Sequence, residues 1–236
     1  MNDDLNIRVL DDAAEMRRLT TLFNQVWGTI TPPVGVELLR AIEHAGGYVV
    51  AAYLDDQVVG GSLGFLGRHE DAPSLHSHIT GILPGLRRTG LGRAMKLHQR
   101  AWAADHGLTW VTWTFDPLVR RNAWFNLDVL GAQVHEYLVD FYGPIDDAIN
   151  AGDESDRLLV AWPAVDDGVA PPTAVARPDA IAVPTPDDIV VLRRTDRAAA
   201  TAWRNRVRAE LGGRLAAGGR VAGFTREGEY LVEEAS

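Results

Sequence analysis

The sequence predicts an α/β (α+β) fold, a mixed sheet flanked by helices, with a C-terminal extension of strand, helix and hairpin. Three observations predict it. Apolar positions switch between a 3.6-residue and a two-residue period. Helix caps and glycine stops bound the helical stretches. A Pro/Ala/Asp-rich segment then sets the last elements apart. Apolar residues make up 46% of the 236 positions, enough for a core.

The first helix is predicted at "LDDAAEMRRLTTLFNQVW". Asp12 with Glu15 three residues on is a capping-box pattern, and Met16, Leu19, Phe23 and Val26 form one stripe. A second helix starts after Pro32-Pro33 and stops at Gly46-Gly47. Two β-rich runs follow, joined at Asp55-Asp56-Gln57 as a hairpin, and after a loop "SLHSHITGIL" is a third strand. Leu91 to His106 is helical, with Leu91, Met95 and Trp102 beside Ala94 and Ala101 as its apolar face and Gly107 as its stop. "LTWVTWTF" is a strand. "DPLVRRNAWFNLDVLG" is a helix with Asp116 as N-cap, Pro117 at its first position and Gly131 at its end. "AQVHEYLVDFYG" and "DRLLVAWP" complete the strands of this part. After linker-like composition come a short strand at Ile189 to Leu192, a helix from about Asp196 to Leu215, and a hairpin turning at Glu227-Gly228.

Composition narrows the function classes. The net charge of −9 argues against nucleic acid and anionic membranes as general partners, since both demand a basic footprint. Cysteine is absent, which excludes disulfides and Cys-metal sites. The start of the chain has neither a basic nor an apolar run, and no apolar stretch approaches the roughly 20 residues that cross a bilayer. A soluble, cytoplasmic protein is the expectation. The distribution of charge says more than its sum. Between Ala72 and Ala104 there is no Asp or Glu, although the chain carries 32 acids. That window holds Arg87, Arg88, Arg93, Arg100 and Lys96, the only lysine. One positive window in an acidic chain suits a small bound polyanion.

At its centre, "GILPGLRRTGLGRAMKLHQR" leads from a strand through a Gly-x-Gly into a helix. It lacks the Gly-Lys-Ser/Thr ending of a Walker loop and the third glycine of a dinucleotide-binding turn. Arg87-x-x-Gly90-x-Gly92 ahead of a helix start can turn backbone N–H groups inward around a pyrophosphate. A glycine-rich turn with a solvated basic face reads the same way.

The signature and the order of elements around it resemble the GNAT superfamily of acyl-CoA N-acyltransferases, over about Leu5 to Trp162. "TFDPLVRRNAWFNLDVLGA", with Tyr142-Gly143 and Asp156-Arg157, is similar to a subgroup described as predicted acyltransferases. The resemblance implies a mostly antiparallel sheet. It divides the chain into an acyltransferase domain at 1–163, a linker at 164–188 and an α+β extension at 189–236. It implies acetyl-CoA or another acyl-CoA as co-substrate and no metal. The amides of Arg87, Arg88, Thr89, Gly90, Leu91, Gly92 and Arg93 would hold the pyrophosphate. The backbone at Ile82 and Leu83 would pair with pantetheine, and Asn122 and Asn126 would contact pantetheine or thioester. Lys96 and Arg100, with Arg93, would meet the 3′-phosphate or form a solvated face.

Acyl transfer needs an acceptor amine that loses a proton and a thiolate that gains one. Many members place a Tyr four positions before the glycine that ends the later helix. Here that position is Leu127, counting back from Gly131, so the usual acid is missing. Tyr137 and Tyr142 are the substitutes from the next strand, Tyr142 being the candidate taken. His76 and His78 share a face of the signature strand, and His78, four residues before Ile82, is the candidate base; one of the two would otherwise be structural. His-x-His as a metal pair lacks a third ligand at useful spacing. Asp116 is placed either to contact an ammonium or to cap its helix. The expected function is acyl transfer, acetyl by default and otherwise succinyl or another acyl group, to the primary amine of a small molecule such as an amino acid or derivative. The alternative is a catalytically lapsed acyl-CoA-binding regulatory module. A homodimer is compatible with either.

Overall fold

The computed structural model describes residues 5–29, 32–143, 152–165 and 179–235. They fall into two compact units, one of residues 1–113 with 163–165, the other of 114–162 with 166–236.

In the first unit the elements are β1 (Asn6–Val9), α1 (Ala13–Trp27), α2 (Val36–His44), β2 (Tyr48–Leu54), β3 (Gln57–His69), β4 (Ala72–Ile82), α3 (Leu91–Asp105) and β5 (Trp110–Phe115). The strands lie in the order β1-β2-β3-β4-β5, antiparallel except for the parallel β4–β5 pair. The sheet is thus mixed and mostly antiparallel, as the resemblance implies. Asp12 caps α1 by accepting from the N–H groups of Ala14 (2.7 Å) and Glu15 (3.1 Å). The β2–β3 turn places Asp55 and Asp56 at φ 46° and 61°, the primed geometry that matches strand twist. β1, which periodicity does not reveal, pairs with β2.

Both faces of the sheet are covered, so β2 is apolar and buried through Tyr53. Met16, Leu19 and Phe23 of α1 and Leu39 of α2 pack with Val49, Ala51 and Leu63 on one face. Leu91 and Met95 of α3 pack with Ala52 and Val59 on the other. Two consecutive glycines let the helices approach β3 from opposite sides. A Cβ on Gly60 would lie 2.8 Å from Met95 Sδ, and one on Gly61 would lie 2.0 Å from Leu19 Cδ1. The buried face of α3 is not the expected one. Leu91, Met95, Lys96, Gln99 and Ala103 are buried, while Ala101 is exposed.

In the second unit are α4 (Arg120–Ala123), β6 (Gln133–Leu138), β7 (Arg157–Pro163), β8 (Ile181–Pro184), α5 (Ile189–Thr195), α6 (Arg197–Val207), α7 (Gly213–Ala216), β9 (Arg220–Phe224) and β10 (Glu229–Glu233). β6 and β7 pair antiparallel, and a separate sheet has the order β8-β10-β9. Ile189–Leu192, expected as a strand, is the start of α5. The Asp188 side chain accepts from Val191 N–H, and this cap overrides the β-propensity of Ile-Val-Val. The strand here is instead Ile181–Pro184, inside the segment expected as linker, of which 166–178 lie outside the described residues. The helix expected from Asp116 begins regular turns only at Arg120 and widens into π-helix at Trp124–Val129.

Arginines of the C-terminal helices hold this unit to a run of acids. Arg193 pairs with Asp116 (2.8 Å) and Asp153 (3.1 Å), Arg204 with Asp153, and Arg208 with Glu154 and Asp156 (both 2.6 Å). Asp156, 2% exposed, also accepts from Tyr137 Oη at 2.7 Å. Burial pushes the Asp156 carboxyl up, but the bonds from Arg208, the Asp140 N–H and Tyr137 outweigh it and hold its pKa below the ordinary value.

Two stability outcomes follow. Gly61→Val should lose about 1–3 kcal/mol in chemical denaturation, because Leu19 has no room to yield. Because its folded pKa is depressed, Asp156 contributes stability that is present above the ordinary carboxylate pKa and lost as pH falls through the lower folded value. Asp156→Asn should flatten the acid limb of a pH-dependent melting curve and lower the midpoint at pH 7.

Candidate active site

The site starts from a hydrogen-bonding change along β4. Its pairing with β5 covers Ser74–His76 against Trp110–Thr112. β4 then runs on to Ile82, paired with β3 on its other side. The β3 register skips one residue: Leu63 faces Ile79 and Gly64 faces Ser77, so His78 is the extra residue of a β-bulge. Leu83 N–H donates to Val59 O at 3.0 Å, back toward β3. By strand alternation Ile82 then presents its N–H and C=O to the open edge, so of the two residues expected to offer backbone there, only Ile82 does so with its amide.

A 3₁₀ turn at Pro84–Leu86 follows, and Thr89 Oγ1 donates to Leu86 O at 2.7 Å. Arg88 stands at φ 72° and Gly90 at φ 91°, successive left-handed residues that swing the chain into α3. Gly90 is the N-cap and its carbonyl takes the first helical bond, from Ala94 N–H, at 3.0 Å. The first-turn N–H groups of Leu91, Gly92 and Arg93 point out of the helix start with its partial positive charge. Arg87 N–H is engaged by Pro84 O at 3.3 Å. Arg87, Arg88 and Arg93 have exposed side chains.

His76 and His78 do share a face, and Phe65 of β3 lies against both, with ring centroids 5.2 and 5.8 Å away. His76 Nδ1 is 3.1 Å from Thr112 Oγ1. Burial, then the charges of His78 and Lys96, push the His76 pKa down to about 4, so this ring is neutral at pH 7 and held in place. His78 is exposed at the surface, but the partial desolvation of its ring lowers its pKa below that of a free imidazole. A neutral, accessible imidazole can accept a proton.

Lys96 corrects the expectation of a basic helix face. It is 6% exposed and turned into the sheet. Its Nζ donates to Ser77 Oγ (2.9 Å) and Gln99 Oε1 (3.1 Å) and sits 3.9 Å from the centre of the Trp113 ring. Gln99 continues the network to Ser62 (3.3 Å), which bonds Thr80. Arg100 is also withdrawn from any phosphate: its Nε donates to Pro163 O at 2.7 Å. Arg93 alone of the three stays at the surface. The one trace of Lys96's burial in the sequence was a single lysine amid a window without acids.

The remaining candidates lie in the second unit. Asp116 accepts from Leu118 N–H at 2.9 Å with one oxygen and pairs with Arg193 through the other, so both oxygens serve the fold. Asn126 and Leu127 are buried and Asn122 half-buried. Tyr137 is engaged with Asp156, and burial followed by that charge raises its pKa. Tyr142 is exposed, with Oη 3.2 Å from Thr114 Oγ1 and the Arg157 guanidinium over its ring.

A family model described as "Acetyltransferase (GNAT) domain" matches residues 2–117. Solved structures of similar fold include the Escherichia coli ribosomal-protein-S18-alanine N-acetyltransferase, 13% identical, TM-score 0.53, covering 68% of this chain and 94% of that one. Arabidopsis thaliana Naa50 with the bisubstrate analogue CoA-Ac-MVNAL is 19% identical, TM-score 0.53, with coverages of 67% and 98%. YncA from Salmonella typhimurium with its cofactor acetyl-CoA is 17% identical, TM-score 0.54, with coverages of 72% and 98%. No curated protein matches at the level of sequence. Signature loop, sheet order and family model agree: over residues 2–117 the chain belongs to the GNAT acetyltransferases, N-acyltransferases whose co-substrate is acetyl-CoA.

Proposed function

We propose that the protein transfers the acetyl group of acetyl-CoA to the primary amine of a small molecule, such as an amino acid or derivative, that carries an apolar portion. The observation carrying this reading is β4 itself, which leaves its partner strand just before a bulge at His78 and leads directly into the left-handed Gly90 cap of α3. The open edge at Ile82 offers backbone bonds to an extended amide chain such as pantetheine. The amides of Leu91, Gly92 and Arg93, with the α3 dipole behind them, hold the pyrophosphate, and the nearby arginines add long-range attraction. Phe65, 40% exposed beside His78, gives the acceptor an apolar surface.

His78 takes the proton of the acceptor ammonium, directly or through a water. The neutral amine attacks the thioester carbonyl, the C–N bond forms, the C–S bond breaks with its electron pair leaving on sulfur, and the nitrogen's second proton passes to solvent as the amide forms. His76, kept neutral and bonded to Thr112, fixes the strand face on which His78 stands. Leu127 at the position of the usual acid supports a second reading, a module that binds acetyl-CoA without turning it over. Thiol release from acetyl-CoA, measured against amino acids, their derivatives, polyamines and N-terminal peptides, separates the two. Tight CoA binding with no release on any pairing establishes the binding module, and release with peptides alone removes the small-molecule acceptor.

His78→Ala should lower kcat about 10²- to 10⁴-fold while the CoA Kd stays within about threefold, by stopped kinetics and calorimetry. The wild-type rate should rise with pH as His78 loses its proton, with an inflection below the ordinary histidine pKa, and His78→Ala should remove that limb. Gly90→Val forces a β-branched residue to φ 91° and should weaken CoA binding about tenfold or more.

A further inference from the structure

Lys96 is a charge at an unusual place. Ser77 and Trp113 are the first residues of β4 and β5 beyond their mutual pairing, and the Lys96 Nζ touches both. The ammonium therefore lies at the vertex where the two strands part. Among the described residues no carboxylate pairs with it, and none occurs in sequence from Ala72 to Ala104. Its neighbours are Ser77 and His76 on β4, Gln99 on its own helix and Trp113 on β5, with Ser62 of β3 behind Gln99. Every other cationic side chain of this arginine-rich protein is an arginine. A buried cation held by a hydroxyl, an amide oxygen and a ring face keeps much of its field uncompensated, and in a site poor in water that field acts over several ångströms.

We infer that Lys96 supplies the counter-charge of the transfer, its ammonium stabilising the coenzyme A thiolate through space as the C–S bond breaks. The inference rests on the acyl-transfer reading of the opening between β4 and β5. The proton count is unaffected: Lys96 neither gives nor takes a proton, the sulfur leaves with the electron pair, and solvent protonates the thiolate on release. Lys96 is 6% exposed and packed against Trp113 and Ser77, so the amine is shielded from acylation while its charge is felt. Burial lowers the Lys96 pKa to about 7, which makes the charge sensitive to its surroundings. A nearby thiolate raises that pKa, and by reciprocity the ammonium lowers the pKa of the bound thiol.

Because Lys96 is the only lysine, protein made with ¹³Cε-lysine shows one side-chain resonance, and its titration can be followed in the unaltered protein. With CoA bound, the Lys96 pKa should rise by on the order of one unit more than with desulfo-CoA, which shares the phosphates but has no sulfur. Equal shifts with the two ligands would overturn the inference. Lys96→Met should lower kcat on acetyl-CoA about tenfold or more with the CoA Kd within about threefold. It should also abolish the fall in rate as pH rises through the lysine titration. An unchanged rate and an unchanged alkaline limb in a folded Lys96→Met protein sink the proposal. If the wild type binds neither CoA nor desulfo-CoA, the acyltransferase site itself fails and the inference falls with it. Binding of both without a sulfur-dependent shift removes Lys96 alone.

Discussion

The parting of β4 from β5 is the constraint on which the site depends. Backbone donors and acceptors inside a sheet must find partners, and a strand that loses one neighbour exposes a row of them. β4 keeps β3 along its length but leaves β5 after His76. The bulge at His78, the outward amide of Ile82 and the buried Lys96 lie at or just beyond that change, and the turn through Arg88 and Gly90 follows in the chain.

Helix ends were the most legible features, because caps act through local chemistry. Asp12 and Asp196 each accept from their own helix start. The Gly90 loop was legible because its conformation demands glycine. What escaped lies in tertiary packing. The strand Asn6–Val9 is short and largely exposed, so it has no alternation to detect. Ile189–Leu192 has strand composition but a helical cap in front of it. Lys96 was placed on a polar face by residue type, whereas Ser77, with Gln99 and Ser62 behind it, makes a polar floor that receives it. The complement to a buried cation is written in other strands, far away in sequence.

In the second unit, the ion pairs of Arg193, Arg204 and Arg208 explain why Asp116 looks catalytic in sequence and structural in space. A carboxylate at a strand end beside Pro117 has the address of a functional group. Arg193 of α5 reaches it and, with the Leu118 amide, commits both oxygens. Such pairs add modestly to net stability because desolvation opposes them, but a wrong arrangement would strand several charges at once. They therefore select one packing of the C-terminal helices.

The open edge of β4 has a further consequence for the protein's colloidal behaviour. An edge able to hydrogen-bond an extended ligand can equally template a strand from another molecule, and Thr80 to Ile82 carry no charge that would repel one. Nearby, Arg87 and Arg88 and an overall charge of −9 act against such encounters, the first by local repulsion between copies, the second by keeping molecules apart. Ligand occupancy would close the edge outright. A co-substrate would then serve as a solubility factor as well as a reactant, and the empty protein at high salt, where repulsion is screened, is the form most prone to self-association.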